Sequence, residues 1–152
     1  MKYLNGLQME EQIIKQFDMS ASTKAQNIND DIDAFQDGQS ISIKTQHTAA
    51  RTGNLAFEFM NMNDKTGDTR DSWLSTGKAD LYWFIIENEA FVFEASDIKR
   101  FINKNKKRLR TTSLTSKSCI DSNNGRYWNQ AKCYLVDIKS IMHLCIAEWL
   151  VS

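Results

Sequence analysis

In residues 7–17 the apolar side chains Leu7, Ile13, Ile14 and Phe17 recur on one helical face, with Met9 near its edge, and predict an amphipathic helix. Glu10 falls near the middle of that face, where a carboxylate is costly to bury unless it meets a donor, a cation or water. A shorter or slightly turned helix would leave it at the rim instead. Residues 20–30 are polar and read as a loop with room for one helical turn at 22–26. After them the apolar period changes to two. Asp31-Ile32-Asp33-Ala34-Phe35 and Ser40-Ile41-Ser42-Ile43-Lys44 flank Asp37-Gly38, the dipeptide that best tolerates the two positive φ angles of a type I′ turn. A hairpin centred there sets Asp33 opposite Ser42 and Asp31 opposite Lys44, while Ile32, Ala34, Ile41 and Ile43 take the other face.

Residues 46–54 read as a loop leading into a third strand, in which Leu55, Phe57 and Phe59 share one face and Ala56 and Glu58 the other. Residues 61–78 are polar and irregular. The apolar run that follows, residues 80–87, suits a strand buried on both faces, and Asn88-Glu89 can turn it back into Ala90-Phe91-Val92-Phe93-Glu94. Ser96 is a good N-cap for a helix from Asp97, with Ile98, Phe101 and Ile102 as its apolar stripe. Residues 111–129 read as a loop with a turn at Asn124-Gly125. Residues 132–138 read as a strand, and 141–151 as a short helix or a last strand. The expected fold is α/β (α+β), a central mixed sheet flanked by helices, in the order helix, three strands, two strands, helix, strand, tail.

One domain spanning 1–152 accommodates this pattern, since 152 residues with 41% hydrophobic content can bury a core without staples. Nineteen basic and nineteen acidic residues cancel, so whole-chain charge does not announce a nucleic-acid partner. The charge is nevertheless segregated. Seven of the twelve residues 99–110 are basic, Lys104, Lys106, Lys107 and Arg108 among them; they form either a phosphate-binding surface or a solvated helix face. Cys119, Cys133 and Cys145 have neither zinc nor disulfide-framework spacing and are expected to be reduced. The chain opens on no basic-then-apolar leader and has no apolar run long enough to span a membrane, so a soluble, cytoplasmic protein is expected.

Ser75-Thr76-Gly77-Lys78-Ala79 is not a nucleotide loop, because Ser72 and Ala79 stand where glycine and a hydroxyl residue are required. His47 and His143 are isolated. Of the four tryptophans, only Trp128, beside Arg126 and Tyr127, suggests a base-stacking platform. On the hairpin, Asp33 and Lys44 read either as a solvated cross-strand ion pair or as part of a site, with Asp31 a rim charge at the strand's start.

Gly6-Leu7-Gln8-Met9-Glu10, the acid Asp33 on a hairpin, and Ser42-Ile43-Lys44 on the returning strand resemble the PD-(D/E)XK nuclease superfamily over roughly residues 6–102. The resemblance implies a restriction-endonuclease-like core and a Mg²⁺- or Mn²⁺-dependent endodeoxyribonuclease, resolvase-like or restriction-like, acting on DNA as a homodimer. It makes Asp33, Glu58 and Glu10 the metal ligands and Lys44 the residue that positions the attacking water. Ser42 departs from the pattern, since the superfamily usually has an acid two residues before the lysine; Glu58 is the expected substitute. Gln46 resembles the glutamine some members place beyond the lysine, and His47, Arg51 and Lys78 lie in loops beside the site as DNA contacts. The departure at Ser42 also keeps open a catalytically inactive DNA-binding or interaction domain of the same fold. Chemically the grouping is sound: a hard cation needs one or two carboxylates plus phosphate oxygens, and clustered carboxylates without one repel.

Overall fold

In the computed structural model, residues 4–115, 120–121, 126–127 and 130–152 are described. Helix α1 (Gly6–Gln16) starts at a capping box in which Asn5 accepts from the Gln8 backbone and Gln8 returns the bond. Strand β1 (Ser20–Ala21) and a short helix α2 (Lys24–Asp30) follow. The hairpin is β2 (Ala34–Gln36) and β3 (Gln39–Thr45), joined through Asp37 and Gly38 at φ 52° and 77°. Its register pairs Ala34 with Ile41, as the alternation predicts. Next come α3 (Ala49–Thr52), β4 (Asn54–Met62), β5 (Thr69–Asp71) and α4 (Trp73–Thr76). The hairpin β6 (Leu81–Ile86) and β7 (Glu89–Glu94) leads into α5 (Ala95–Asn105). The remainder is β8 (Arg110–Thr115), β9 (Ile120–Asp121), β10 (Arg126–Tyr127), β11 (Gln130–Asp137), α6 (Ile138–Ile141) and β12 (Cys145–Leu150).

These strands do not make one sheet. A six-stranded mixed sheet runs β1-β2-β3-β6-β7-β12, and a separate antiparallel sheet runs β5-β4-β11-β8. β3 and β6 are parallel, and α3, β4, β5 and α4 all lie within the crossover between them. The expectation that β4 continues the hairpin's sheet, with Glu58 on the same face as Lys44, is therefore corrected. β4 takes its hydrogen bonds from β11 instead, across eight residue pairs, and from β5.

Alternation along β3 and β6 splits the core in two. Ile41, Ile43, Leu81, Trp83 and Ile85 face α1, where Met9 and Ile13 cover them. On the other face Tyr82 and Phe84 meet Leu55 and Phe57 of the second sheet and Ile98 and Ile102 of α5. The buried stripe of α1 is turned from the expected one: Met9 and Ile13 are buried and Leu7 is 66% exposed, which carries Glu10 to the rim. The α5 helix begins two residues earlier than expected, with Glu94 rather than Ser96 at its N-cap. Among the described residues no helix is long and apolar enough to cross a membrane. Cys133 and Cys145 are free thiols. Cys119, Trp128 and the Asn124-Gly125 turn lie outside the described residues.

Candidate active site

Lys44 follows Ile43 on β3, so while Ile43 enters the core under α1 its own side chain takes the opposite face. There its Nζ donates to Asp31 Oδ1 at 2.5 Å and stands 4.7 Å from the ring centre of Trp73, a cation over an indole face. Lys44 and Asp31 are each 19% exposed, so the pair is screened far less than a surface one. Asp31 is not a rim charge. It caps α2 in the left-handed region at φ 54°, a conformation aspartate tolerates, and this aims its carboxylate back at β3. Ser42 Oγ donates to its second oxygen at 2.9 Å. Ser42 thus holds in place the carboxylate that pairs with Lys44.

Asp33 is buried, and both of its oxygens are engaged: Oδ2 accepts from the Ile43 amide at 2.6 Å and Oδ1 from Asn27 Nδ2 at 2.5 Å. Burial raises its pKa against the pull of the Ile43 bond and of Lys44. It lies on the hairpin as expected but makes no ion pair with Lys44, which pairs with Asp31. Gly77 fits closely behind this cluster: a Cβ there would stand 2.5 Å from the Trp73 carbonyl oxygen and 3.3 Å from Asp31 Cβ. The apparent nucleotide loop is therefore a packing glycine after α4.

Glu58 approaches from the second sheet. A register shift between Lys132 and Cys133 leaves Phe59 unpaired beside it, the kind of bulge that re-aims a strand's side chains. Its Oε1 accepts from Ser72 Oγ at 2.6 Å and from Asn61 Nδ2 at 2.5 Å. Glu10, Lys44 and Glu58, from three different elements, line one cleft of about 600 Å³, with Gln46, Trp73 and Cys133 among its other walls. Burial holds the Cys133 thiol up at about 12, with the Glu58 charge adding, so that thiol is not a nucleophile at neutral pH.

The Glu10 carboxyl is raised from 4.5 to about 7, chiefly by burial and then by the charge of Asp33, against the pull of Lys44. Its folded-state pKa exceeds the unfolded one, so the associated stability is complete below pH 4.5 and is lost as pH rises through 7. In chelator-treated protein, Glu10→Gln is expected to be more stable than the parent at pH 8 by on the order of 2 kcal/mol and indistinguishable from it at pH 4. Urea unfolding at the two pH values checks this. An equal difference at both would mean that the carboxyl does not titrate as described.

Other expected contacts are spent on structure. The Gln46 side chain donates to the Ala56 carbonyl at 2.9 Å and accepts from its amide at 3.2 Å, pinning the end of β3 to β4 like an added strand residue. His47 accepts from the Glu87 amide through Nδ1 and meets the Leu4 carbonyl through Nε2, contacts that the Nε2–H tautomer satisfies together. Lys78 pairs with Asp30 at 3.3 Å. Arg51, on α3, is exposed. Lys104, Lys106, Lys107 and Arg108 are exposed at and just beyond the α5 C-terminus, where positive charge complements the helix dipole; Lys106 lines a separate depression with Phe59 and Tyr134.

A metal cage of Asp33, Glu58 and Glu10 is not assembled: among the described residues no three His, Cys, Asp or Glu side chains gather around one point. Glu10 and Asp33 are nevertheless close enough for the Asp33 charge to help raise the Glu10 carboxyl, a repulsion that a bound divalent ion would relieve. In the sequence Asp31 reads as a rim charge, Ser42 as a departure and Trp73 as no site residue, although the hairpin register already sets Asp31 across from Lys44. Compared with protein-family models, with curated proteins and with solved structures, the chain matches none.

Proposed function

We propose that the chain is a metal-dependent endodeoxyribonuclease of the PD-(D/E)XK type that hydrolyses a DNA phosphodiester in the cleft between the two sheets. The observation that carries this reading is the convergence of Glu10, Lys44 and Glu58 on one cleft, with Asp31 and Asp33 directly behind the lysine. The order of elements supports the reading: a helix, an acid-bearing hairpin, a mixed sheet and a second helix follow one another, as the resemblance to the superfamily implies. Within it, Lys44 offers a localised positive charge to the phosphoryl oxygens as negative charge builds on them. Asp31 and Trp73 fix that ammonium group, so little reorganisation is needed when a phosphate arrives. Glu10 and Asp33 would hold the cation, which polarises the phosphate when bound. Glu58, anchored through Oε1 by Ser72 and Asn61, keeps its other oxygen for the cation's water or for the attacking water. A homodimer would bring one such cleft to each strand of a duplex.

Purified protein is expected to nick plasmid, single-stranded or branched DNA with Mn²⁺ or Mg²⁺ and to be silenced by chelation. The same ions are expected to raise its Tm, and Asp33→Asn to abolish the rise; at a hundredfold excess over Kd the stabilisation is about 2.7 kcal/mol. A protein that binds DNA but cuts none of these substrates, with a Tm indifferent to divalent ions, is instead a non-catalytic DNA-binding domain.

A further inference from the structure

β12 is the last strand of the six-stranded sheet, and among the described residues no further strand pairs with its outer side. Ile146, Trp149 and Leu150 are 53%, 48% and 74% exposed, an apolar load that edge strands ordinarily avoid. The direction of its backbone groups follows from its pairing. The Val151 amide donates to the Asn88 carbonyl at 2.8 Å and Trp149 stands opposite Ala90, so residues 149 and 151 turn their N–H and C=O groups toward β7. Residues 148, 150 and 152 turn theirs outward. Gln16, the last residue of α1, meets two of these outward groups: its Nε2 donates to the Leu150 carbonyl at 2.9 Å and its Oε1 accepts from the Ser152 amide at 3.0 Å. One side-chain amide thus sits where a residue of an added strand would sit.

We propose that the outer edge of β12 is a pairing surface for the same strand of a second copy of this chain, and that Gln16 is the latch that keeps it closed. The inference is independent of the nuclease reading, and it leaves any dimer of the unaltered chain to another face. The opposite edge of this sheet, β1, is two residues long, so head-to-tail addition of one sheet to the next has almost no ladder to form. β12 against β12, antiparallel, closes instead as a two-fold pair. A pair centred on Glu148 sets two carboxylates directly opposite each other, which is unfavourable. Centring on Trp149 or on Leu150 avoids this and brings an exposed apolar side chain against its own copy. Either of these registers takes the Leu150 carbonyl as an acceptor in the new ladder. That carbonyl is the one Gln16 holds. While the Gln16 amide is in place, the favourable registers are therefore blocked and only the repulsive one is left open.

Sedimentation of the full chain over a concentration series, with the parent beside Gln16→Ala and Gln16→Met, tests the assignment. Position 16 is exposed at a helix end, so both variants are expected to fold; methionine keeps the length of the side chain and removes both hydrogen bonds. Each is expected to associate to a higher mass than the parent as concentration rises. Glu148→Pro added to Gln16→Ala removes an outward N–H and no bond to β7, and is expected to return the mass to the parental value. Hydrogen exchange at the Glu148 and Leu150 amides of Gln16→Ala is expected to slow as the protein is concentrated, because both amides enter the new ladder. Parental mass for both Gln16 variants at every concentration, association that survives Glu148→Pro, or association that leaves those two amides exchanging at the parental rate would overturn the proposal.

Discussion

Lys44→Ala is expected to lower DNA cleavage by roughly 10²–10³-fold at saturating metal, the loss typical of removing one preorganised group that stabilises transition-state charge. The size of the effect follows from how the lysine is held. Its ammonium group bridges Asp31 and the Trp73 ring in a partly buried setting, so no other described side chain supplies a positive charge at that point of the cleft wall. Removing it also leaves Asp31 as an uncompensated carboxylate, so stability falls together with activity. The two effects separate in the double variant. Asp31→Ala added to Lys44→Ala removes the orphaned charge and is expected to restore part of the lost stability, because the two residues form one interacting pair. Cleavage is expected to stay at the level of Lys44→Ala alone. Single-turnover rates beside urea unfolding of the parent, Lys44→Ala, Asp31→Ala and the double variant decide the matter. A Lys44→Ala rate within about threefold of the parent, or a double variant that regains cleavage along with stability, would remove the lysine from the chemistry.

How legible such a site is depends on whether its residues are placed by local pattern or by long-range packing. The hairpin was readable because Asp37-Gly38 and the alternation of Ile32, Ala34, Ile41 and Ile43 fix turn and register within fourteen residues. From that register Asp31 was already opposite Lys44. Its importance was not, since it depends on α2 ending in a left-handed residue that swings the carboxylate inward. The second sheet was hidden for another reason. β5 and β8, Thr-Arg-Asp and Arg-Thr-Thr-Ser-Leu-Thr, are edge strands with largely exposed side chains, and an element that buries little carries little periodicity. Residues 132–138 do read as a strand, but with those edges unseen nothing marks a second sheet for it to share with β4, and Glu58 is placed with the hairpin instead. Its alternation was nonetheless sound. Leu55 and Phe57 are fully buried, and Glu58 lines the cleft. Trp73 was invisible as a site residue because the four-residue α4 lies in a polar stretch, and its role comes from a ring contact that no spacing encodes. Gln46 illustrates the converse. Its position two residues past Lys44 suggested a ligand contact, but its amide is occupied in tying β3 to β4.

The same join between the sheets makes Phe57→Ala the most damaging core substitution expected near the site. Phe57 is wholly buried, with its ring 5.3 Å from Phe84 of the first sheet in an edge-to-face arrangement and 6.0 Å from Trp73. Truncation removes the side chain that links β4 to β6 and leaves a cavity its neighbours can fill only by shifting, a change that costs about 3–5 kcal/mol. In a chain of this length that amounts to roughly 10 °C in Tm, and a large share of the 5–15 kcal/mol typical of a domain's total stability. Phe57→Leu keeps most of the volume and is expected to cost less than about 1.5 kcal/mol, which leaves the protein folded for assay. Its cleavage rate is the more informative number. Glu58 follows Phe57 on β4, and Trp73 packs against both Phe57 and Lys44, so a small slip of the second sheet moves the acid and the lysine apart. A fully folded Phe57→Leu protein is therefore expected to lose cleavage out of proportion to its stability, because a displacement of about 1 Å in a positioned group can cost roughly 10²-fold in rate. If Phe57→Ala lowered stability by less than about 1 kcal/mol, the two sheets would not share the core described here. If Phe57→Leu cut at the parental rate, Glu58 would owe nothing to the packing of its strand.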